Sequence, residues 1–181
     1  LQDHVRKAEI LLHGSFATTG IGHGTDKALI AGLLGMRPDD IRIPDSFFLA
    51  KKDGMEFSFS TITLKDAHPN TAVLRLTGEH GRKIEVQAAS IGGGRILIAK
   101  LDGIEVNFSA EKPTLIVHNV DQPGHVAQVT SMLAEKQVNI ATLQLYRDKR
   151  GGYAVMVIET DQEVPEESVA WRSEEHTSEL Q

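Results

Sequence analysis

A chain of 181 residues, 40% of them hydrophobic, has enough apolar side chains to bury a core in one or two small domains. Its formal charge of −6 and its lack of any long basic tract exclude a broad nucleic-acid surface, and no apolar run approaches the roughly 20 residues that cross a bilayer. With no cysteine, the chain forms no disulfide, offers no thiolate and cannot hold an iron-sulfur cluster through the usual ligands.

Leu1 to His4 lack the basic-then-apolar layout of a signal peptide, which makes the cytoplasm the expected compartment. The native chain is expected to extend past both ends. Arg172 to Gln181 have no apolar periodicity and read like a translated sequencing adapter, so they are expected to be a non-native tail.

Glu9 to Phe16 fit a strand, and Ala17 to Gly24 are too glycine-rich for regular structure. A helix follows, with Thr25 or Asp26 able to cap it by accepting backbone N–H bonds and Gly35 placed to end it. It is apolar nearly all round, which predicts cover on more than one side. Pro44 breaks the next stretch, and Phe47 to Lys52 predict a short helix stopped by Asp53-Gly54. Period-two alternation then marks strands around Phe57 to Thr61, Ile84 to Ala88 and Ile104 to Phe108. Turns at Gly78 to Gly81, Gly92 to Gly94 and Asp102-Gly103 make an antiparallel meander the simplest topology.

Ser109 to Pro113 read as a linker. Thr114 to Val120 predict a strand, Asp121 to Gly124 a turn, and Val126, Val129 and Leu133 fall on one face of the helix after it. Leu143 and Leu145 alternate with polar neighbours, and a hairpin through Lys149 to Gly152 leads to a strand from Tyr153 to Glu159. Pro165 to Trp171 can begin a second helix, giving an interrupted ferredoxin-like split fold without its last strand.

The glycine loop before the first long helix is not a nucleotide site. A dinucleotide fingerprint needs glycine where Thr25 stands, and a phosphate loop needs Lys-Ser/Thr where the chain has Thr25-Asp26. A small carboxylate suits it better, because Ser15, Thr18, Thr19 and Thr25 bring donors alongside backbone amides. His23, between two glycines, can position a substrate or move a proton, or can simply bond its own backbone. His68-Pro69-Asn70-Thr71 can aim an amide and a hydroxyl at a ligand, though turn formation alone accounts for it. Gly92, Gly93 and Gly94 permit close backbone approach, while an ordinary hairpin needs at least one of them. Asn119, Asp121 and Gly124 form a polar loop that either caps a helix or holds a small ligand. The eight histidines lack HxH and HExxH spacing, and Ser15 lacks the flanking glycines of a nucleophile elbow, so neither a metal site nor a triad is predicted.

Gly14-Ser15-Phe16-Ala17 with Gly22-His23-Gly24-Thr25-Asp26, then His68-Pro69-Asn70-Thr71, then Ser90-Ile91-Gly92-Gly93-Gly94 resemble, in order and spacing, the beta chain of bacterial iron-sulfur L-serine dehydratases. Thr114 to Asp161 resemble an ACT domain. The resemblance implies an α+β chain: a mixed α/β beta-chain domain of the allosteric-substrate-binding kind over residues 1–110, a truncated ferredoxin-like ACT domain over 112–171, and the tail 172–181. It further implies deamination of L-serine to pyruvate and ammonia by a two-chain enzyme. An alpha subunit would carry a 4Fe-4S cluster acting as Lewis acid on the substrate hydroxyl, with no cofactor or metal bound by this chain.

Under that resemblance His23 and His68 are the catalytic candidates, and Ser15, Thr25, Asp26, Asn70, Thr71, Gly92, Gly93 and Gly94 bind substrate. Asn119, Asp121 and Gly124 would bind an effector in the ACT domain, and ACT domains commonly pair through their sheets, so homodimerisation is expected. The family's serine-rich, histidine-containing motif is expected upstream of Leu1, which leaves this piece inactive by itself. The competing reading is a non-catalytic amino-acid sensor regulating a biosynthetic dehydrogenase. A cysteine-rich alpha-type neighbour would favour the lyase, and an upstream dinucleotide-binding domain the sensor.

Overall fold

The computed structural model describes residues 3–109 and 111–165; the helix read from Pro165 to Trp171 (past its first residue) and the tail from Arg172 lie outside the described residues. The chain is α+β and divides into two compact units between Asn107 and Phe108. Among the described residues no helix is long and apolar enough to cross a membrane.

The first unit opens with strand β1 (Val5–Gly14), helices α1 (Ser15–Thr19) and α2 (Thr25–Leu33), a 3-10 turn (Ile43–Asp45) and helix α3 (Ser46–Lys52). Strands β2 (Glu56–Thr61), β3 (Asn70–Gly78), β4 (Lys83–Gly92), β5 (Arg95–Leu101) and β6 (Ile104–Phe108) complete a sheet in the order β2-β1-β3-β4-β5-β6. Alternation along β1 sends Ala8, Ile10 and Leu12 into a core with Ile30, Ala50, Met55, Ala72 and Leu76. Ile10 is 1% exposed, and burying such a side chain stabilises the fold by roughly 1.5–3 kcal/mol. Phe47 of α3 packs on Phe57 and Phe59 of β2 at centroid distances of 5.0 and 5.9 Å. Buried Ser46 donates its hydroxyl to the Lys27 carbonyl at 2.9 Å and so ties α3 to the start of α2.

Four sequence expectations change here. The meander holds from β3 through β5, but β1 and β2 run parallel, with Lys7 opposite Glu56 and Leu12 opposite Thr61. The helices carry the chain back between the two strands, and alternation of side chains carries no information about strand direction. Helix α2 is not covered all round: Ile30 and Ala31 are buried while Ala28 and Gly32 face outward. Its N-cap is Gly24 at φ 72°, and Asp26 accepts a single amide, that of Lys27, at 2.8 Å. The stretch read as irregular contains α1, whose Thr18 and Thr19 hydroxyls bond back to the Ser15 carbonyl at 3.3 and 2.9 Å.

The second unit runs β7 (Thr114–Val120), α4 (His125–Glu135), β8 (Ile140–Arg147) and β9 (Tyr153–Thr160), with β9 central in the order β7-β9-β8. This is the βαββ arrangement of a ferredoxin-like half. Val129 and Leu133 of α4 pack on Leu115, Val117, Met156 and Ile158. Val126, read as part of that face, is 38% exposed, because it lies on the first turn at the margin of the sheet-facing stripe.

Candidate functional site

Strand register gathers three of the sequence motifs at one end of the first sheet. Gly14 lies opposite Asn70 and His13 opposite Thr71; Thr71 lies opposite Ala89 of β4; and Gly92 closes onto Arg95 in the β4–β5 hairpin. The end of β1 with Ser15, the turn from His68 to Thr71 and the Gly92–Gly94 loop therefore share an edge. Helix α1 starts directly from Gly14, so the loop bearing His23 leaves from the same edge. His23 donates its backbone amide to the carbonyls of Thr19 and Gly20, each at 3.2 Å, and Thr25 donates to Gly20 at 2.8 Å.

Gly14 is what allows the first two motifs to abut. Its φ is 58°, and a Cβ there would sit 2.5 Å from the Pro69 carbonyl oxygen and 2.8 Å from the Pro69 Cα. Both obstacles are backbone, so no side-chain adjustment makes room. Gly92, Gly93 and Gly94 are glycines for a different reason. All have positive φ, at 88°, 63° and 75°, yet the space around each is open.

The two histidines differ in their hydrogen bonding. His68 accepts the Asn70 amide on Nδ1 at 3.1 Å, which requires the lone pair there and puts the proton of the neutral ring on Nε2. The exposed edge of His68 is thus a hydrogen-bond donor. The His23 ring is exposed and makes no hydrogen bond among the described residues. The Ser15 hydroxyl and the Asn70 side-chain amide are likewise unengaged among the described residues.

Other candidates use their groups internally. Thr71 is 1% exposed and donates its hydroxyl to the His68 carbonyl at 2.6 Å, closing the turn. Thr18 and Thr19, read as ligand donors, close α1 instead. Asp26 is 9% exposed and Thr25 half-buried, so they offer a ligand little beyond the helix start. Sequence reasoning missed His13, which sits inside an apolar strand pattern: its Nδ1 accepts the Leu64 amide at 3.2 Å.

In the second unit Asp121 is a tie between loops. Its Oδ2 accepts from the Gly151 amide at 3.1 Å and from Arg147 Nη1 at 2.7 Å, and its amide donates to the Gly152 carbonyl at 2.8 Å. The Gly151 N–H, then the Arg147 guanidinium, hold its carboxyl below the usual carboxylate range. Gly124 caps α4 at φ 97°. Asn119 donates to the Val120 carbonyl at 2.9 Å, while its Oδ1 is shut off from solvent without a partner among the described residues. The donor set does not fit a metal or an iron-sulfur cluster: the chain has no cysteine, and among the described residues no three histidines or carboxylates converge on one point.

Against known families, residues 1–47 match the model of the serine dehydratase beta chain and residues 113–170 that of the ACT domain. The L-serine dehydratase beta chain of Peptoniphilus asaccharolyticus is 36% identical over 167 residues, covering 92% of this chain and 75% of that one. The probable L-serine dehydratase beta chain of Bacillus subtilis is 37% identical over 155 residues, covering 86% and 70%. The D-3-phosphoglycerate dehydrogenase of Methanocaldococcus jannaschii is 28% identical over 173 residues, which is 93% of this chain and 32% of that enzyme.

Proposed function

This chain belongs to the serine dehydratase beta-chain family, and from that premise we propose that it works as the beta subunit of an L-serine ammonia-lyase, in the cytoplasm and together with an alpha subunit. The observation that carries the reading is the shared end of the sheet where Gly14-Ser15, His68-Asn70 and Gly92–Gly94 lie and from which the His23 loop leaves. Two imidazoles at that edge, one of them with its Nε2–H free to donate, suit a β-elimination. Any 4Fe-4S cluster belongs on the alpha subunit, since this chain lacks the ligands for it.

The chemistry assigned to this chain is positioning and proton transfer. The Nε2–H of His68, the Asn70 amide and the Ser15 hydroxyl hold the L-serine carboxylate by hydrogen bonds. His23 accepts the α-proton. The C–H electron pair becomes the C=C bond as the β-hydroxyl departs, taking up the proton that His23 removed so that it leaves as water; the resulting aminoacrylate tautomerises to the imine and adds water to yield pyruvate and ammonia. The Gly92–Gly94 loop lies open beside the edge and offers backbone groups to the substrate. Asn119 and the Gly124 helix start are assigned to an amino-acid effector, with pairing of two ACT-like units as the means of regulation.

The test is anaerobic co-expression of the full-length protein with its alpha subunit, followed by assay of pyruvate from L-serine. His23→Ala and His68→Ala are each expected to lower kcat by at least about tenfold without loss of assembly, as removal of a proton-transfer or orienting group does. An assembled, cluster-loaded complex that makes no pyruvate would replace this reading with the amino-acid sensor.

A further inference from the structure

We infer that His13 is a positioning residue, whose ring holds the connection that presents His68; the inference rests on the catalytic reading of His68 above. Residues 62–69 join β2 to β3 and end at the His68 turn. At the start of the connection the Ile62 amide donates to the Leu12 carbonyl at 3.0 Å, and at its end the Thr71 hydroxyl takes the His68 carbonyl. Over residues 63–67, among the described residues, the one hydrogen bond to the sheet is the Leu64 amide on His13 Nδ1 at 3.2 Å. Within the connection Asp66 adopts a left-handed φ of 56°.

His13 is also placed where a shift of the connection is felt. It lies opposite Thr71, the residue that closes the His68 turn. The same Nδ1 approaches the Ile62 carbonyl at 3.3 Å, but one nitrogen serves one of these partners at a time. Leu64 can only donate, and it is the nearer partner, so Nδ1 acts as acceptor. A hydrophobic replacement leaves the Leu64 amide without an acceptor and frees the segment to drift, and misplacement of a reacting group by about 1 Å is enough to cost orders of magnitude in rate.

The isosteres separate this role from others. Asparagine puts its amide oxygen near the place of Nδ1, whereas glutamine puts it near Nε2. In the full alpha–beta complex, His13→Leu and His13→Gln are expected to lower kcat about tenfold, and His13→Asn to stay within about threefold of the parent. The pair His13→Leu with His68→Ala should be no slower than His68→Ala alone, because a residue acting through another adds nothing once the other is gone. Imidazole proton–nitrogen spectra of the full-length beta chain give a readout free of turnover: the His68 signals should move in His13→Leu and return in His13→Asn, with the His23 signals unchanged. Unmoved His68 signals, or additive losses in the double variant, would overturn the inference. If the parent complex makes no pyruvate, the dehydratase reading fails, and the spectra still decide the clamp.

Discussion

In sequence, the β1 edge of the first unit resembles the β7–α4 turn of the other, each a polar loop with a glycine before a helix, yet they handle their hydrogen-bonding groups in opposite ways. At the β1 edge the ring of His23, the Ser15 hydroxyl and the Asn70 amide are unengaged among the described residues, and His68 turns a donor outward. At the β7–α4 turn, Asp121 binds a guanidinium and an amide at once through Oδ2, and Asn119 Oδ1 is buried without a partner among the described residues. Exposed groups such as the Ser15 hydroxyl and the His23 ring are hydrated and can exchange that water for a ligand, whereas a buried atom without a partner, such as Asn119 Oδ1, costs stability. Asp121 joins the β7–α4 turn to the β8–β9 hairpin, whereas the groups at the β1 edge remain open to a ligand.

The comparison breaks most visibly at Gly14. Replacing it with alanine drives a Cβ to 2.5 Å from the Pro69 oxygen in a left-handed conformation, so strand end and turn must separate. Gly14→Ala should destabilise the first unit by about 3 kcal/mol in urea unfolding, in the range of combined strain and overpacking, and abolish any activity of the complex. A midpoint equal to the parent's would show that the two motifs do not abut.

Much of this arrangement is legible in the sequence, and the exceptions have physical causes. Strand phases follow from alternation, as in β1, where Ala8, Ile10 and Leu12 are buried. Direction does not, so the parallel partnership of β1 with β2 emerges only from the structure. The three motifs are visible as glycine and histidine clusters, and their meeting at one edge depends on register, which no local pattern encodes. The fates of individual hydroxyls are hidden too: Thr71, Thr18 and Thr19 close backbone turns that form only once the neighbouring residues are in place. Asp121 finds Arg147 across 26 positions of sequence. His13 escapes notice because a histidine in an apolar strand reads as a packing residue, and its partner comes from the far end of a connection.

A smaller effect tests the β7–α4 turn. The Asp121 carboxyl is held below its ordinary value of 3.8, so its contribution to the folded state is present above that value and is lost as the pH falls through the lowered one. Asp121→Asn keeps an acceptor but no charge. Hydrogen exchange of the amides near Gly151 should therefore be faster in the variant at neutral pH, with the gap closing as the pH falls below 3.8 and the parent carboxyl protonates. If this substitution lowered turnover as much as His68→Ala while leaving exchange unchanged, the β7–α4 turn would belong to the substrate site, and the contrast between the loops would be wrong.

The finest distinction is drawn within the β1 edge, between a glycine needed for space and one needed only for its backbone angle. Gly93 has φ 63° and nothing within 4 Å of where a Cβ would lie. Gly93→Ala should thus cost only about 1–2 kcal/mol, the penalty for an L-residue in the left-handed region, and leave the hairpin formed. Its effect on turnover is the informative quantity. A methyl group in an empty space can slow the reaction only by meeting something that arrives, either the substrate or the alpha subunit. A rise in KM for L-serine in an assembled complex would place the substrate against this loop, weakened assembly would place the alpha subunit there, and parent-like kinetics with parent-like assembly would reduce Gly92–Gly94 to a hairpin turn.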